Sequence, residues 1–228
     1  MSKPKALLAW SSGKDSAWAL GLVRAAGEVE VVGLLTTFTE QYRRVTMHGV
    51  REELVEAQAK AAGLPLWRTA IPTPCSNEQY EAVMRAAMDQ AKAEGVTHVI
   101  FGDLFLADVR EYREKQLAPM GITALFPLWH RGTALTAEAM ILGGLKARLT
   151  CLDPKKVPKE LAGAEFGEDF VCGLPASVDP CGEHGEFHTF CYAAPCFRAP
   201  IGVTVGETVE REGFVFTDLL LDRPETPA

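Results

Sequence analysis

The sequence predicts an α/β fold: a mostly parallel, doubly wound sheet, followed by a smaller α+β region at its C-terminal end. Three observations carry this reading. Short apolar runs alternate with segments whose apolar residues keep helical spacing, the pattern of a sheet covered on both faces. Glycines close the helical segments at Gly27, Gly63 and Gly95. Beyond Gly163 the alternation gives way to Gly- and Pro-rich loops with short strands. The expected domains are residues 1–150 and residues 151–228.

Each element has a local reason. Ala6–Trp10 is a short apolar run, read as a buried strand, and Ser16–Ala26 is a run of helix formers that stops at Gly27. Val29–Thr37 is rich in Val and Thr and reads as the second strand. Val50, Leu54, Ala57 and Ala61 mark one helix face, ended by Gly63-Leu64-Pro65, and Leu66–Ile71 is the third strand. Tyr80, Val83, Met84, Ala87 and Ala91 line the next helix, and Thr97–Phe101 is the fourth strand. Asp108–Leu117 is a charged helix, Ile122–Trp129 a strand with Pro127 near its end, Thr136–Leu142 a helix and Lys146–Leu152 a strand. Asp153–Gly163, with two Pro and three Lys, reads as a linker or connecting turn. Glu186–Tyr192 and Phe214–Leu221 are strands of the second region, and Arg223–Ala228 is expected to fray.

Composition narrows the function. The 228 residues carry 23 Lys+Arg against 30 Asp+Glu, a formal net charge of -7. Residues 1–150 hold 17 basic and 16 acidic side chains, whereas residues 151–228 hold 6 and 14, so the acidic excess sits in the last third. A protein that grips nucleic acid backbones needs clustered Lys and Arg, which argues against that class. No apolar stretch is long enough to span a membrane, and the short run behind Met1–Lys5 lacks the length of a secretory signal. A cytoplasmic location follows as the default expectation. Six cysteines without a CxxC pair read as reduced thiols.

In parallel α/β sheets ligands bind outside the carboxyl ends of the strands, so chemistry is sought just after each one. The loop Ser11-Ser12-Gly13-Lys14-Asp15-Ser16 joins the first strand to its helix. Small residues let the backbone approach a ligand, and the helix behind offers free N–H groups at the positive end of its dipole. This is a recipe for a phosphate cradle, with Lys14 as a cation and with Asp15 and Ser16 as candidate Mg²⁺ ligands or helix caps. Leu8 stands where a Walker A loop needs glycine, and GxGxxG is absent. After the fourth strand come Gly102 and Asp103, and Arg110 and Arg113 follow on one helix face.

Taken together, several strings carry a family resemblance: SSGKDS at 11–16, His48-Gly49-Val50-Arg51, Gly102-Asp103-Leu104-Phe105-Leu106, Phe126-Pro127-Leu128-Trp129, and GEHGEFHTF at 182–190. The loop resembles the SGGxDS loop of the PP-loop ATP pyrophosphatases, with Ser12 in place of the first glycine. The whole series, in order, resembles the diphthine–ammonia ligase family and its bacterial-type relatives. The resemblance implies a PP-loop core that binds ATP with Mg²⁺ and splits it at the α-phosphate. It further implies a carboxylate adenylated with loss of pyrophosphate, then amidated by ammonia. Diphthine on elongation factor two is the family's eukaryotic and archaeal target, so the substrate here is diphthine or another acid. His188 stands where many members have a second glutamate, which marks a sister group.

On that resemblance the nucleotide site comprises Ser11, Ser12, Gly13, Lys14, Asp15, Ser16, Gly102 and Asp103. The acceptor site comprises His48, Arg113, Glu183, Gly185, Glu186, His188 and Thr189. Lys14, Asp15, Glu186 and His188 carry the catalytic roles. If Glu186 opens a strand, it shares a face with His188, pairing a carboxylate with an imidazole that could move a proton. Three alternatives stand beside this reading: a PP-loop tRNA-modifying enzyme, an ATP-binding module without ligase chemistry, and zinc bound by the Cys/His-rich segment Cys172–Cys196. A homo-oligomer is compatible with all of them.

Overall fold

The computed structural model describes residues 2–46 and 48–222. The expected tail at 223–228 lies outside them. Strand β1 (Lys5–Ala9) leads into helix α1 (Lys14–Ala26), followed by β2 (Glu30–Thr39), the short β3 (Arg44–Val45), α2 (Glu52–Ala62), β4 (Leu66–Ile71), α3 (Asn77–Ala93) and β5 (Val96–Ile100). Next come α4 (Ala107–Leu117), β6 (Thr123–Leu125) and α5 (Thr133–Leu142). The parallel strands lie in the order β4-β2-β1-β5-β6, with β3 turned back against the end of β2. The order reverses between β1 and β5, and the crevice at their carboxyl ends is where such sheets take ligands.

Local signals account for these boundaries. Gly27 and Gly63 end α1 and α2 in the left-handed conformation, at φ 66° in each case. Ser76 caps α3, accepting from Gln79 N while the Gln79 side chain accepts from Ser76 N. The expected strand at Ile122–Trp129 is shorter, ending at Leu125 before a turn over Phe126–Trp129. Pro127 has no N–H to give a ladder and cannot extend it.

The second layer is antiparallel. Strand β7 (Lys146–Leu152) pairs with β9 (Phe187–Ala193) along its length. It also meets β8 (Glu165–Phe166) and β11 (Phe214–Leu221), and β10 (Val203–Arg211) adds the outer strand beside β11. Helix α6 (Glu168–Gly173) follows β8. The sequence-based division between residues 150 and 151 runs through β7, a member of this second sheet. Asp153–Gly163 connects β7 to β8 within the sheet, and is not a linker between sheets.

One apolar core runs through both layers. It joins Leu8, Leu20, Leu34 and Leu54 of the first to Leu149, Phe166, Phe187 and Phe190 of the second. That shared burial fixes β9 against the N-terminal end of α1, which the site requires.

Candidate functional site

The N-terminus of α1 is held between two other elements. Gly102, after β5, packs so tightly against it that a Cβ there would lie 3.0 Å from the Asp15 carbonyl carbon. On the other side, a Cβ on Gly13 would lie 3.3 Å from the carbonyl oxygen of Thr189 on β9. Thr189 Oγ1 accepts from Lys14 N at 3.1 Å, and Ser12 O accepts from Cys191 N at 2.9 Å. The loop is therefore fixed by the second sheet as well as by its own strand.

Gln58 completes the support. Its Nε2 donates to Ser12 O at 2.9 Å and to Cys191 O at 2.6 Å, and its Oε1 accepts from Trp10 Nε1 at 2.8 Å. This fully buried amide ties α2, β1 and β9 together, and residue-by-residue reading of the sequence gave it no role. Ser12 adopts φ 70°, the left-handed conformation that glycine takes without steric cost.

These elements frame a cleft of about 430 Å³. One wall is apolar, with Leu35, Met84, Met88, Val99 and Phe101. The other brings together Ser11, Lys14, Asp15, Ser16, His48, Gly102, Asp103, Arg113, Glu183, Gly185, His188 and Thr189. A larger groove of about 750 Å³ between β4 and α3 contains none of the expected nucleotide- or acceptor-site residues. It also lies away from the switch between β1 and β5, so the cleft is the better candidate.

Within the cleft the side chains divide by role. Lys14 is buried, and its ammonium donates to Asp15 Oδ2 at 3.0 Å and to the Cys181 carbonyl. It lies 5.5 Å and 5.3 Å from the ring centroids of Phe166 and Phe187. Burial opposes its charge most strongly, but its acidic neighbours, Asp15 first and then Cys181 and Glu183, together outweigh that and hold its pKa above the ordinary lysine value. Lys14 thus locks the two sheets together at the floor of the cleft. Burial raises the Asp15 pKa despite the Lys14 charge, and Asp15 Oδ1 has no hydrogen-bond partner among the described residues.

Glu183 crosses from the second sheet to the β5 loop, where its Oε1 accepts from Leu104 N at 2.8 Å and Phe105 N at 3.4 Å. Burial pushes its pKa up to about 7, against the effect of those N–H groups. Asp103 and Arg113 are bound to each other, at 2.5 Å and 3.1 Å, with the guanidinium 4.3 Å from the Phe101 ring centroid. Arg110 sits apart from the cleft lining, paired with Glu114 at 2.8 Å and flanked by Phe126 and Trp129.

His48 and His188 face one another with ring centroids 4.4 Å apart and planes inclined by 36°. Burial lowers the His188 pKa to about 4, with the Lys14 charge adding to the effect. Burial also holds His48 well below the ordinary value, followed by repulsion from His188. Both imidazoles are neutral at pH 7, and His48 Nδ1 has no hydrogen-bond partner among the described residues.

Glu186 departs from its expected place. It precedes β9 rather than opening it, so the period of two that would align it with His188 does not apply. It is 2% exposed, turns inward and accepts from Asp179 N at 3.3 Å, and it is absent from the cleft wall. The imidazole beside His188 is His48, not the Glu186 carboxylate. As for zinc, no three His, Cys, Asp or Glu side chains among the described residues gather as a metal site, and the six cysteines are free. No helix among them is long and apolar enough to cross a membrane.

Fold and cleft define a PP-loop-type α/β protein with an antiparallel sheet set against its strand ends. The sequence model of a family described as the diphthamide synthase N-terminal domain matches residues 4–123. A diphthine–ammonia ligase of Danio rerio is 30% identical over 179 residues, covering 70% of this chain and 69% of that protein. A diphthine–ammonia ligase of Schizosaccharomyces pombe is 24% identical over 222 residues, covering 88% of this chain and 36% of that longer protein. The chain belongs to the diphthine–ammonia ligase family, a family of ligases. That membership favours the ligase reading over a tRNA-modifying enzyme.

Proposed function

We propose that this protein is a cytoplasmic, ATP-dependent carboxylate–ammonia ligase that forms AMP and pyrophosphate, with diphthine or a related acid as acceptor. The observation that carries the proposal is the α1 N-terminus, which opens toward Glu183 and the His48–His188 pair. Gly13 supplies no side-chain cap to α1, and although Lys14 N is taken by Thr189 Oγ1, the Asp15 and Ser16 amides of the first turn suit a phosphate. The cleft residues also fit a magnesium ion. Mg²⁺ takes one or two carboxylates plus substrate phosphates, and the unpartnered Asp15 Oδ1 offers one. Such an ion would offset phosphate charge when bound.

In this reading the apolar wall with Met84, Met88 and Phe101 takes the adenine. Ser11–Ser16 hold the phosphates, and Asp103, fixed by Arg113, faces the nucleotide. The acceptor carboxylate attacks the α-phosphorus, the bond to the bridging oxygen breaks, and pyrophosphate leaves. Ammonia then attacks the acyl carbon, and AMP leaves with the former carboxylate oxygen. A carboxylate resists amines because oxide is a poor leaving group, and adenylation removes that obstacle.

Ammonia is mostly ammonium at pH 7, so a base must take its proton. Glu183, pushed up to about 7, is the strongest base of the three, whereas the His48 and His188 imidazoles, held neutral below their ordinary values, suit hydrogen bonding to the amine rather than taking its proton. Lys14 supports the loop rather than moving protons, and Glu186 supports the turn before β9. The test is incubation with ATP, Mg²⁺, ammonium and diphthine-bearing elongation factor two. Amide formation with equimolar AMP supports the proposal, whereas ADP and phosphate as products refute it.

A further inference from the structure

The loop between β3 and α2 carries His48 into the cleft, and it is gripped from the second sheet. The Asp218 carboxylate, on β11, accepts from Arg44 Nη1 at 2.9 Å. It also accepts from Arg51 Nε at 3.0 Å and from Arg51 Nη2 at 2.6 Å. These arginines stand at the two shoulders of the loop and form a β-bridge with each other. Arg44 Nη1 also donates to the Gly49 carbonyl at 2.5 Å, and Val45 N donates to Val50 O at 2.8 Å. Gly49 sits at φ 66° with its Cα against Phe216, where a Cβ would lie 3.2 Å from the ring. One carboxylate and one aromatic ring of β11 therefore fix both ends and the apex of the loop.

The same sheet supplies the partner imidazole, since His188 lies on β9 and both β9 and β11 flank β7. We propose that Asp218 is a positioning residue for the cleft, holding His48 against His188 through Arg44 and Arg51. Glu53 approaches Arg51 only at 3.9 Å, so it cannot replace Asp218 in this geometry. The charged and titratable groups acting on His48 are His188 and Lys14, with the Thr189 backbone beside them. None of these is hydrogen-bonded to the Asp218 side chain, whose partners among the described residues are Arg44 and Arg51. Ion pairs at partly exposed positions contribute little to folding, so the fold should survive the loss.

The test is nitrogen-15 NMR of the histidine side chains in the full-length protein from pH 5 to 8, without substrate. In the wild type, the His48 midpoint lies well below the ordinary imidazole value. In Asp218→Asn, thermal melting should change little while the His48 titration midpoint rises toward the ordinary value of about 6.5. Asp218→Glu should restore part of the wild-type behaviour. Arg51→Gln, which removes two of the contacts, should give an intermediate His48 midpoint, and it serves as the test if Asp218→Asn does not fold. An Asp218→Asn or Arg51→Gln protein whose His48 stays neutral, with wild-type His48 and His188 shifts, would overturn the proposal.

Discussion

Replacing His188 by glutamine should flatten the acid limb of this protein's stability profile. The folded-state pKa of His188 is depressed to about 4, chiefly by burial, against about 6.5 in an unfolded chain. A depressed pKa contributes stability that is full above pH 6.5 and lost as pH falls, with the loss complete below pH 4. At pH 5 the unfolded chain binds nearly one proton at this position that the folded chain refuses. The linkage amounts to about 2 kcal/mol between pH 7.5 and pH 5. Urea melts at pH 7.5, 6.5, 5.5 and 5.0, run on both proteins, measure it directly. The wild type should lose about 2 kcal/mol more than His188→Gln across that interval. The Glu183 contribution is present in both proteins and largely cancels, and His48, depressed chiefly by burial, keeps most of its contribution when the His188 charge is removed. Parallel curves would refute the claim that His188 is buried neutral against His48.

Other substitutions probe the remaining parts of the cleft. Glu183→Gln should tilt the profile the opposite way. A folded pKa raised to about 7 contributes stability below pH 4.5 that is lost as pH rises through 7, at most about 3 kcal/mol by pH 7.5 and less by the solvent screening at this partly exposed carboxyl, and the variant should lack that loss. Ser12→Gly should stabilise the protein by about 1 kcal/mol in chemical denaturation, because Ser12 sits at φ 70° with a buried hydroxyl that has no partner among the described residues. Gly102→Ala should weaken ATP binding about tenfold or more by calorimetry, since its Cβ would press on the Asp15 backbone rather than on a movable side chain.

Much of the fold is legible in local sequence. The strands β4, β7 and β11 are bounded where β-branched and apolar runs meet Gly, Pro or a helical pattern. What is not local is which sheet a strand joins. β7 continues the βα alternation in sequence yet pairs with β8, β9 and β11, whose burial against Phe166 and Phe190 only the folded chain reveals. β10 escapes because Val203–Arg211 is an edge strand with mostly polar side chains and weak apolar alternation.

The site divides the same way. Ser11, Lys14, Asp15, Ser16, His48, Glu183 and His188 lie in compact motifs, and all of them line one cleft. Gln58 and Asp218 act through partners 133 and 167 residues away, and no spacing rule reaches them. Glu186 carries a motif-like signal, but its position in a turn sends it inward to Asp179.

Oxygen tracing tests the proposed chemistry most directly. The protein is given ATP, ammonium and an acceptor whose carboxylate carries ¹⁸O, and the phosphorus NMR of the products is recorded. Attack of that carboxylate on the α-phosphorus, followed by ammonia at the acyl carbon, leaves one labelled oxygen in AMP and none in pyrophosphate. Label in inorganic phosphate alongside ADP, or amide formed with unlabelled AMP, would contradict the account.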